Sequence, residues 1–258
     1  MTRVGVRRNA WACGPHVRSA SADFAPSPAR GFSFRSWPCP SVPNGCFPQI
    51  YPLRGGYHDA ATFNDDATVN ALRLLQDTAQ GALPAASPGQ RARAQRAVSR
   101  GVDCPLAAQV RVAGLPSLWG QQHDPLDPSP VAARSYELVG LAGRESASIV
   151  LFLMDQPQPS PALAAAVHSA VAWFGAHQIL GWDYDPVTGL RRVEGAGPLW
   201  ARLSELETGY ALFSNRDGIK LYDWNKLTDR REGYGWFGKE PARALAAYKA
   251  WAAKHPKH

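Results

Sequence analysis

The chain has 258 residues, of which 45% are hydrophobic, with a net charge of +7 and a pI near 9.4. That length suits one large domain or two small ones, and the apolar content excludes a wholly disordered chain. The basic balance favours a polyanionic partner. No zinc-ligand spacing, RNA-motif aromatic set or long Lys/Arg block points to nucleic acid, and no apolar run reaches the ~18 residues of a membrane span.

Residues 1–43 hold Arg, Pro, Ser and Cys without periodicity, and Pro26, Pro28, Pro38, Pro40 and Pro43 would break most regular elements. An irregular or disordered arm is expected there, either a misread start or a divergent tail. Arg3, Arg7 and Arg8 precede an AlaSerAla at 20–22, but the apolar core of a signal peptide is missing. Cys13, Cys39, Cys46 and Cys104 match neither a zinc pattern nor a dense disulfide framework, so a disulfide stays open.

From Thr62 the pattern turns helical. Ala67, Ala71, Leu74, Leu75 and Thr78 share one face at 3.6 spacing, with Leu72 at its edge. Asp65 or Asp66 is placed to cap that helix. A second helix is expected from about Gly89 to Gln109, with Gly101 and Pro105 arguing for a break or bend inside it. A hairpin is expected between Val110 and Trp119, and a short helix from Glu145 to Asp155. Ser160 and Pro161 then give a cap and a first-turn proline. Leu163, Ala166, Val167, Ala170, Val171 and Phe174 form the clearest amphipathic stripe in the chain. Beyond Gly181 the composition becomes Gly- and aromatic-rich. Short strands are expected over Trp182–Val193 and over Trp200–Leu221, the latter around an AsnArgAspGly turn. A last helix is expected from Pro241 to Trp251.

Chemistry-bearing residues concentrate between His123 and Glu145: His123, Asp124, Arg134, Tyr136, Glu137, Arg144 and Glu145. Breakers from Asp127 to Pro130 mark a loop just before Arg134, and loops on a rigid frame often carry function. The bland alternative is a set of surface ion pairs, each worth ~0–1 kcal/mol.

Ordered blocks across most of the chain decide between these. They include ProGlnIleTyrPro at 48–52, PheAsnAspAspAlaThr at 63–68, ArgGlyValAspCys at 100–104 and TrpGlyGlnGlnHisAsp at 119–124. AlaAlaArgSerTyrGluLeu at 132–138, LeuPheLeuMet at 151–154, AlaValAlaTrpPhe at 170–174 and GlyProLeuTrpAlaArg at 197–202 continue the series. AsnArgAspGlyIle at 215–219 and ArgArgGluGlyTyrGlyTrp at 230–236 complete it. Together they resemble the family 10 pectate lyases, with a truncated or aberrant N-terminus: the family's GlyGlyTrpPro stands here as GlyCysPhePro at 45–48.

The resemblance implies a mainly α fold, an (α/α) toroid of three helix pairs with small β elements, in a catalytic domain over residues 44–258. It implies a calcium-dependent lyase that cleaves polygalacturonate by β-elimination, working as a secreted or periplasmic monomer without nucleic-acid or membrane partners. Arg134 matches the family's Brønsted base. Arg202, Arg216 and Arg231 match positions that bind uronate carboxylates, a task suited to the planar guanidinium fork. Asn64, Asp65 and Asp66 offer the oxygen ligands that Ca2+ takes, although amide and acid stand in the reverse of the family order. Two other readings remain: an inactive lyase-like binder of acidic polysaccharide, and a glycoside hydrolase using Glu137 and Glu145 or Asp124 as paired acids.

Overall fold

The structure is a computed structural model that describes residues 45–256. The chain divides into two units, Met1–Pro40 and Ser41–His258, and the described residues belong to the second. The arm expected over 1–43 lies outside the described residues.

In chain order, β1 (Ala61–Thr62) leads through a single 3-10 turn, Asn64–Asp66, into α1 (Ala67–Gln80) and α2 (Pro88–Ala108). The hairpin β2 (Arg111–Val112) and β3 (Leu115–Pro116) follows, then β4 (Gln122–His123), β5 (Pro130–Val131) and β6 (Leu141–Ala142). Next come α3 (Gly143–Met154), α4 (Pro161–Ala176) and the hairpin β7 (Trp182–Asp185) and β8 (Gly189–Arg192). The chain continues with β9 (Trp200–Ala201), β10 (Leu203–Ser204), β11 (Phe237–Gly238) and α5 (Glu240–Ala252).

The expected mainly α toroid of three helix pairs is corrected by this architecture. Among the described residues there are five α-helices and five small sheets, and residues 181–238 contribute no α-helix. That segment has no sustained 3.6-residue apolar repeat. Its aromatic residues Phe213, Trp224, Tyr234, Trp236 and Phe237 instead fill a second core from strands and loops, joined by Tyr136.

The helices share the other core. The stripe of α4 is as the spacing predicts: Leu163, Ala166, Val167, Ala170, Val171 and Phe174 are all buried. Each Leu, Val or Phe so buried contributes roughly 1.5–3 kcal/mol. Ser160 caps the helix, its Oγ accepting from the Leu163 N–H at 3.2 Å. By contrast, α1 is rotated from expectation: Thr68, Val69, Leu72 and Thr78 are buried, and Leu74 is exposed. The cause lies on α2. A Cβ at Gly101 would stand 2.0 Å from Leu72 Cδ2, so the absent side chain admits Leu72 and fixes which face of α1 turns inward. Gly101 therefore does not break α2, and the helix also runs through Pro105, whose carbonyl accepts from Trp119 Nε1 at 2.6 Å.

Helix α2 opens on a capping box. Ser87 Oγ accepts from the Gln90 N–H at 3.3 Å, and Gln90 Oε1 accepts from the Ser87 N–H at 2.7 Å. Ser87→Ala is expected to lower unfolding free energy by about 1 kcal/mol, measured by urea denaturation. No change would mean that the cap is idle.

Cys46 and Cys104 form a disulfide that ties the start of the described chain to α2. The hairpins expected within Val110–Trp119 and Trp182–Val193 are both present, over 111–116 and 182–192. Over 200–221 the strands pair elsewhere, β9 with β11 and β10 with β6, and only a Phe213–Leu221 bridge spans the AsnArgAspGly turn. The three-stranded sheet β1-β4-β5 has no counterpart in the sequence reading, because strands of two residues carry no period to detect. It matters most here, since it sets the 121–123 segment beside Asn64.

Candidate active site

The sheet positions the first group. The Phe63 and Asn64 N–H groups both donate to the Gln121 carbonyl, each at 2.9 Å. Asn64 is turned inward, and its Oδ1 accepts from Arg202 Nη2 at 2.9 Å. Asp65 and Asp66 follow in consecutive left-handed conformations, φ 51° and 60°. Such backbone is uncommon outside glycine, and strain of this kind gathers at functional sites. Asp66 stands where an N-cap would, yet its side chain makes no capping hydrogen bond, and its Oδ1 is buried without a partner. The expected helix-capping role is thus not filled by either acid. The Asp65 side chain is 62% exposed, with Oδ1 3.8 Å from Arg202 Nη2.

Arg202 is the hub. Its own N–H donates to the Trp236 carbonyl at 2.7 Å, and its carbonyl accepts from the Gly143 N–H at 3.0 Å, so the residue just before β11 and the start of α3 fix its backbone. Nη2 reaches Glu145 Oε1 at 3.0 Å, and both side chains are buried, 8% and 1% exposed. The Gln121 amide is assigned with its oxygen toward the guanidinium, the orientation in which it accepts from Nε at 3.0 Å and Nη2 at 3.2 Å. Burial opposes the Arg202 charge, but Glu145, Tyr234, Asp65 and Glu137 around it outweigh this and raise its pKa. Burial pushes the Glu145 carboxyl upward despite the pull of Arg202, and the Asp66 carboxylate adds to that push. Glu145 Oε2, like Asp66 Oδ1, is buried and unpartnered.

Arg134 enters from the loop after β5. A tight turn, closed by the Glu137 N–H donating to the Arg134 carbonyl at 2.8 Å, brings the two side chains together. Arg134 Nε and Nη2 donate to Glu137 Oε2 and Oε1 at 2.6 and 2.5 Å, a bidentate clamp with Arg134 41% exposed and Glu137 1% exposed. This hydrogen bonding pushes the Arg134 pKa above its ordinary value, more than offsetting burial. Tyr234 joins the two arginine groups: its hydroxyl donates to Glu137 Oε1 at 3.2 Å, and its ring lies 4.8 Å from Arg202 Cζ.

Asn64, Asp65, Arg202 and, through Glu137 and Tyr234, Arg134 are therefore brought together. Arg216 and Arg231 stand apart with partners of their own: Arg216 Nη1 lies 3.7 Å from Asp229 Oδ2, and Arg231 stacks 4.0 Å from the Trp224 ring centre. Each acid of the hydrolase reading is already committed, Glu137 to Arg134 and Glu145 to Arg202, while Asp124 accepts from the Leu126 and Asp127 N–H groups in a local turn. His123, which carried no role in the sequence, is a buried brace. Its Nε2 accepts from the Gly120 N–H at 3.0 Å, which leaves Nδ1–H to donate to the Pro128 carbonyl at 2.7 Å. Sequence reasoning missed Gln121 and Tyr234, and also Arg230, whose Cζ lies 4.3 Å from the Tyr136 ring centre and 5.6 Å from that of Tyr234, although all three lie inside blocks that carried the resemblance.

The donor set at 64–66 suits a hard cation in kind: oxygen ligands only, one carboxylate open and one carboxylate oxygen buried without a partner. No group of three or more His, Cys, Asp or Glu is arranged to hold a metal among the described residues. Asp65 and Asp66 would hold calcium only with oxygens from substrate, water or residues outside those described.

Comparison with known proteins follows the same lines. The sequence model of the pectic acid lyase family, "Pectic acid lyase", matches residues 39–245. A solved family 10 polysaccharide lyase from Cellvibrio cellulosa is 35% identical with a TM-score of 0.79, covering 83% of this chain and 69% of that one. An aspartate-to-alanine mutant of the Cellvibrio cellulosa family 10 lyase, solved in complex with trigalacturonic acid, is also 35% identical, with a TM-score of 0.78 and coverage of 84% and 70%. No curated protein matches the chain.

Proposed function

The chain belongs to the family 10 pectate lyases, which makes it a polysaccharide lyase, and from that premise we propose that it cleaves polygalacturonate by calcium-dependent β-elimination with Arg134 as the base. The observation that carries this reading is the continuous polar cluster of Arg134, Glu137, Tyr234, Arg202 and Asn64, with the uncapped Asp65 and Asp66 at its edge.

In the proposed reaction the neutral guanidine form of Arg134, a minor species but a strong base, takes the C5 proton, α to the uronate carboxylate. The C5–H pair becomes the C4–C5 double bond, the C4–O bond breaks, and the leaving glycosidic oxygen takes a proton from water. Calcium, when bound by Asp65 and Asp66, supplies positive charge to the carboxylate as it gains enolate character. The Glu137 clamp fixes the direction of the Arg134 plane, but it also favours the protonated guanidinium. Arg202, Arg216 and Arg231 bind uronate carboxylates along the chain of the substrate.

The Cys46–Cys104 disulfide supports an oxidising compartment, and with it a secreted or periplasmic protein. Among the described residues no helix is long and apolar enough to cross a membrane.

One observation favours a second reading. Because the described residues assemble no group of three metal-binding acids, the same cluster would also serve an inactive binder of acidic polysaccharide. Calcium depletion separates the two. Chelation is expected to abolish formation of unsaturated product, and added calcium to restore it. Affinity for polygalacturonate should fall as salt rises, by about tenfold or more, because exposed charge is screened. Binding without any calcium-restored product formation would favour the binder, and equal affinity for neutral starch at all salt levels would refute both.

A further inference from the structure

Two arginine-bearing loops are tied to each other by their own side chains. Asn215 Oδ1 accepts from the Thr228 N–H at 2.9 Å and from the Asp229 N–H at 3.3 Å. Asp229 returns the contact: its Oδ1 and Oδ2 accept from the Arg216 N–H at 3.2 and 3.3 Å. Its carbonyl also accepts from Arg216 Nη1 at 3.3 Å. Asn and Asp side chains commonly accept backbone N–H groups within their own turn. Here each does so for the other loop, 13 residues away.

The two loops do not depend on this latch equally. Residues 227–231 are anchored on their own: Leu227 is buried, the Arg230 carbonyl accepts from Trp236 Nε1 at 2.7 Å, and Arg231 stacks on Trp224. The 215–218 turn instead leaves the core after Ser214 and is exposed at Arg216 and Asp217. It passes close to the Arg134 turn, where a Cβ at Gly218 would stand 3.4 Å from the Ser135 carbonyl. The Arg216 N–H takes its direction from the Asp229 carboxylate. The Arg216 side chain is 58% exposed, and its own carboxylate contact is a long 3.7 Å, so the guanidinium stays open to a second anion.

We propose that Asp229, together with Asn215, is a positioning residue: the pair fixes the backbone from which Arg216 reaches a uronate carboxylate, acting through Arg216 rather than on the substrate. The inference rests on the reading of Arg216 as a carboxylate binder. Guanidinium–carboxylate recognition is directional. A long side chain on an exposed turn must also be ordered on binding, and fixing its backbone beforehand lowers that cost.

The test uses two substitutions of equal charge. Asp229→Asn and Asp229→Ala both remove the carboxylate charge, but only the amide keeps an oxygen for the Arg216 N–H. Trigalacturonate affinity is measured for each by titration calorimetry, in the full chain and in the full chain carrying Arg216→Ala. With Arg216 present, Asp229→Ala is expected to bind about tenfold more weakly than Asp229→Asn, the scale of one misplaced charge-assisted contact. With Arg216→Ala the two should agree within about twofold, because the effect passes through that side chain. Should Asp229→Ala fail to fold, Asn215→Ala is compared with Asn215 in the same two backgrounds, and a loss only where Arg216 is present supports the assignment. A ratio near one with Arg216 present, or an equal loss with and without Arg216, overturns it and leaves Arg216 as a binder. If Arg216→Ala alone leaves affinity unchanged, the reading of Arg216 fails and the positioning role falls with it.

Discussion

Arg134→Lys is expected to slow formation of unsaturated product by about 10²–10⁴-fold, the usual effect of losing a general base, with oligogalacturonate affinity changed by less than about threefold. The geometry gives the reason. Nε and Nη2 of Arg134 are both spent on Glu137, so the clamp leaves Nη1 as the nitrogen facing outward from a fixed plane. An ammonium group is shorter and rotates freely, so it keeps the charge without holding a nitrogen beside C5. Glu137 also keeps its contact from Tyr234 in the variant, which limits the structural damage. Progress curves by ultraviolet absorbance, paired with calorimetry, check both halves. Full turnover in Arg134→Lys, or affinity lost as heavily as rate, would show that Arg134 is not the base.

The second large effect concerns acid. His123 is fully buried, and desolvation lowers its pKa from 6.5 to about 4, against the opposing influence of its two backbone contacts. The neutral ring is the form the fold selects, since Nε2 must accept from Gly120 and Nδ1 must donate to Pro128. The unfolded chain binds a proton near 6.5 and the folded one does not. Stability from this group is therefore complete above pH 6.5 and is lost as pH falls through about 4, a total of about 3 kcal/mol. Urea denaturation across that window should show a steeper loss for the native chain than for His123→Gln. Parallel slopes would mean that His123 is not the neutral brace described.

What could be read from the sequence divides along physical lines. The α4 stripe was legible because six apolar residues of a 16-residue helix face one way, so period and burial agree. The α1 stripe was not, because only Leu74 and Leu75 of its five residues were strongly apolar, the others being two alanines and a threonine, and the deciding contact came from Gly101 of another helix. The expected toroid failed over 181–238, where aromatic packing from short strands replaced helical pairing. At the candidate site, motif blocks singled out Arg134, Arg202, Arg216 and Arg231; the structure sets the first two on one polar cluster and gives the other two partners of their own. Glu137 and Glu145 were noticed as acids, but their commitment to arginines depends on a local turn and on a contact 57 residues apart. Adjacent arginines at 230 and 231 look alike in sequence. Only side-chain direction separates them, one toward the tyrosines and the other onto Trp224. The Cys46–Cys104 pairing likewise spans 58 positions and left no local sign.

Elimination itself is tested most directly by digesting polygalacturonate with the full chain in calcium and counting two products in parallel: new reducing ends, and unsaturated ends by ultraviolet absorbance. The account predicts that the two rise together, one unsaturated end for each bond cut. New reducing ends without matching absorbance would mean hydrolysis, and would contradict it.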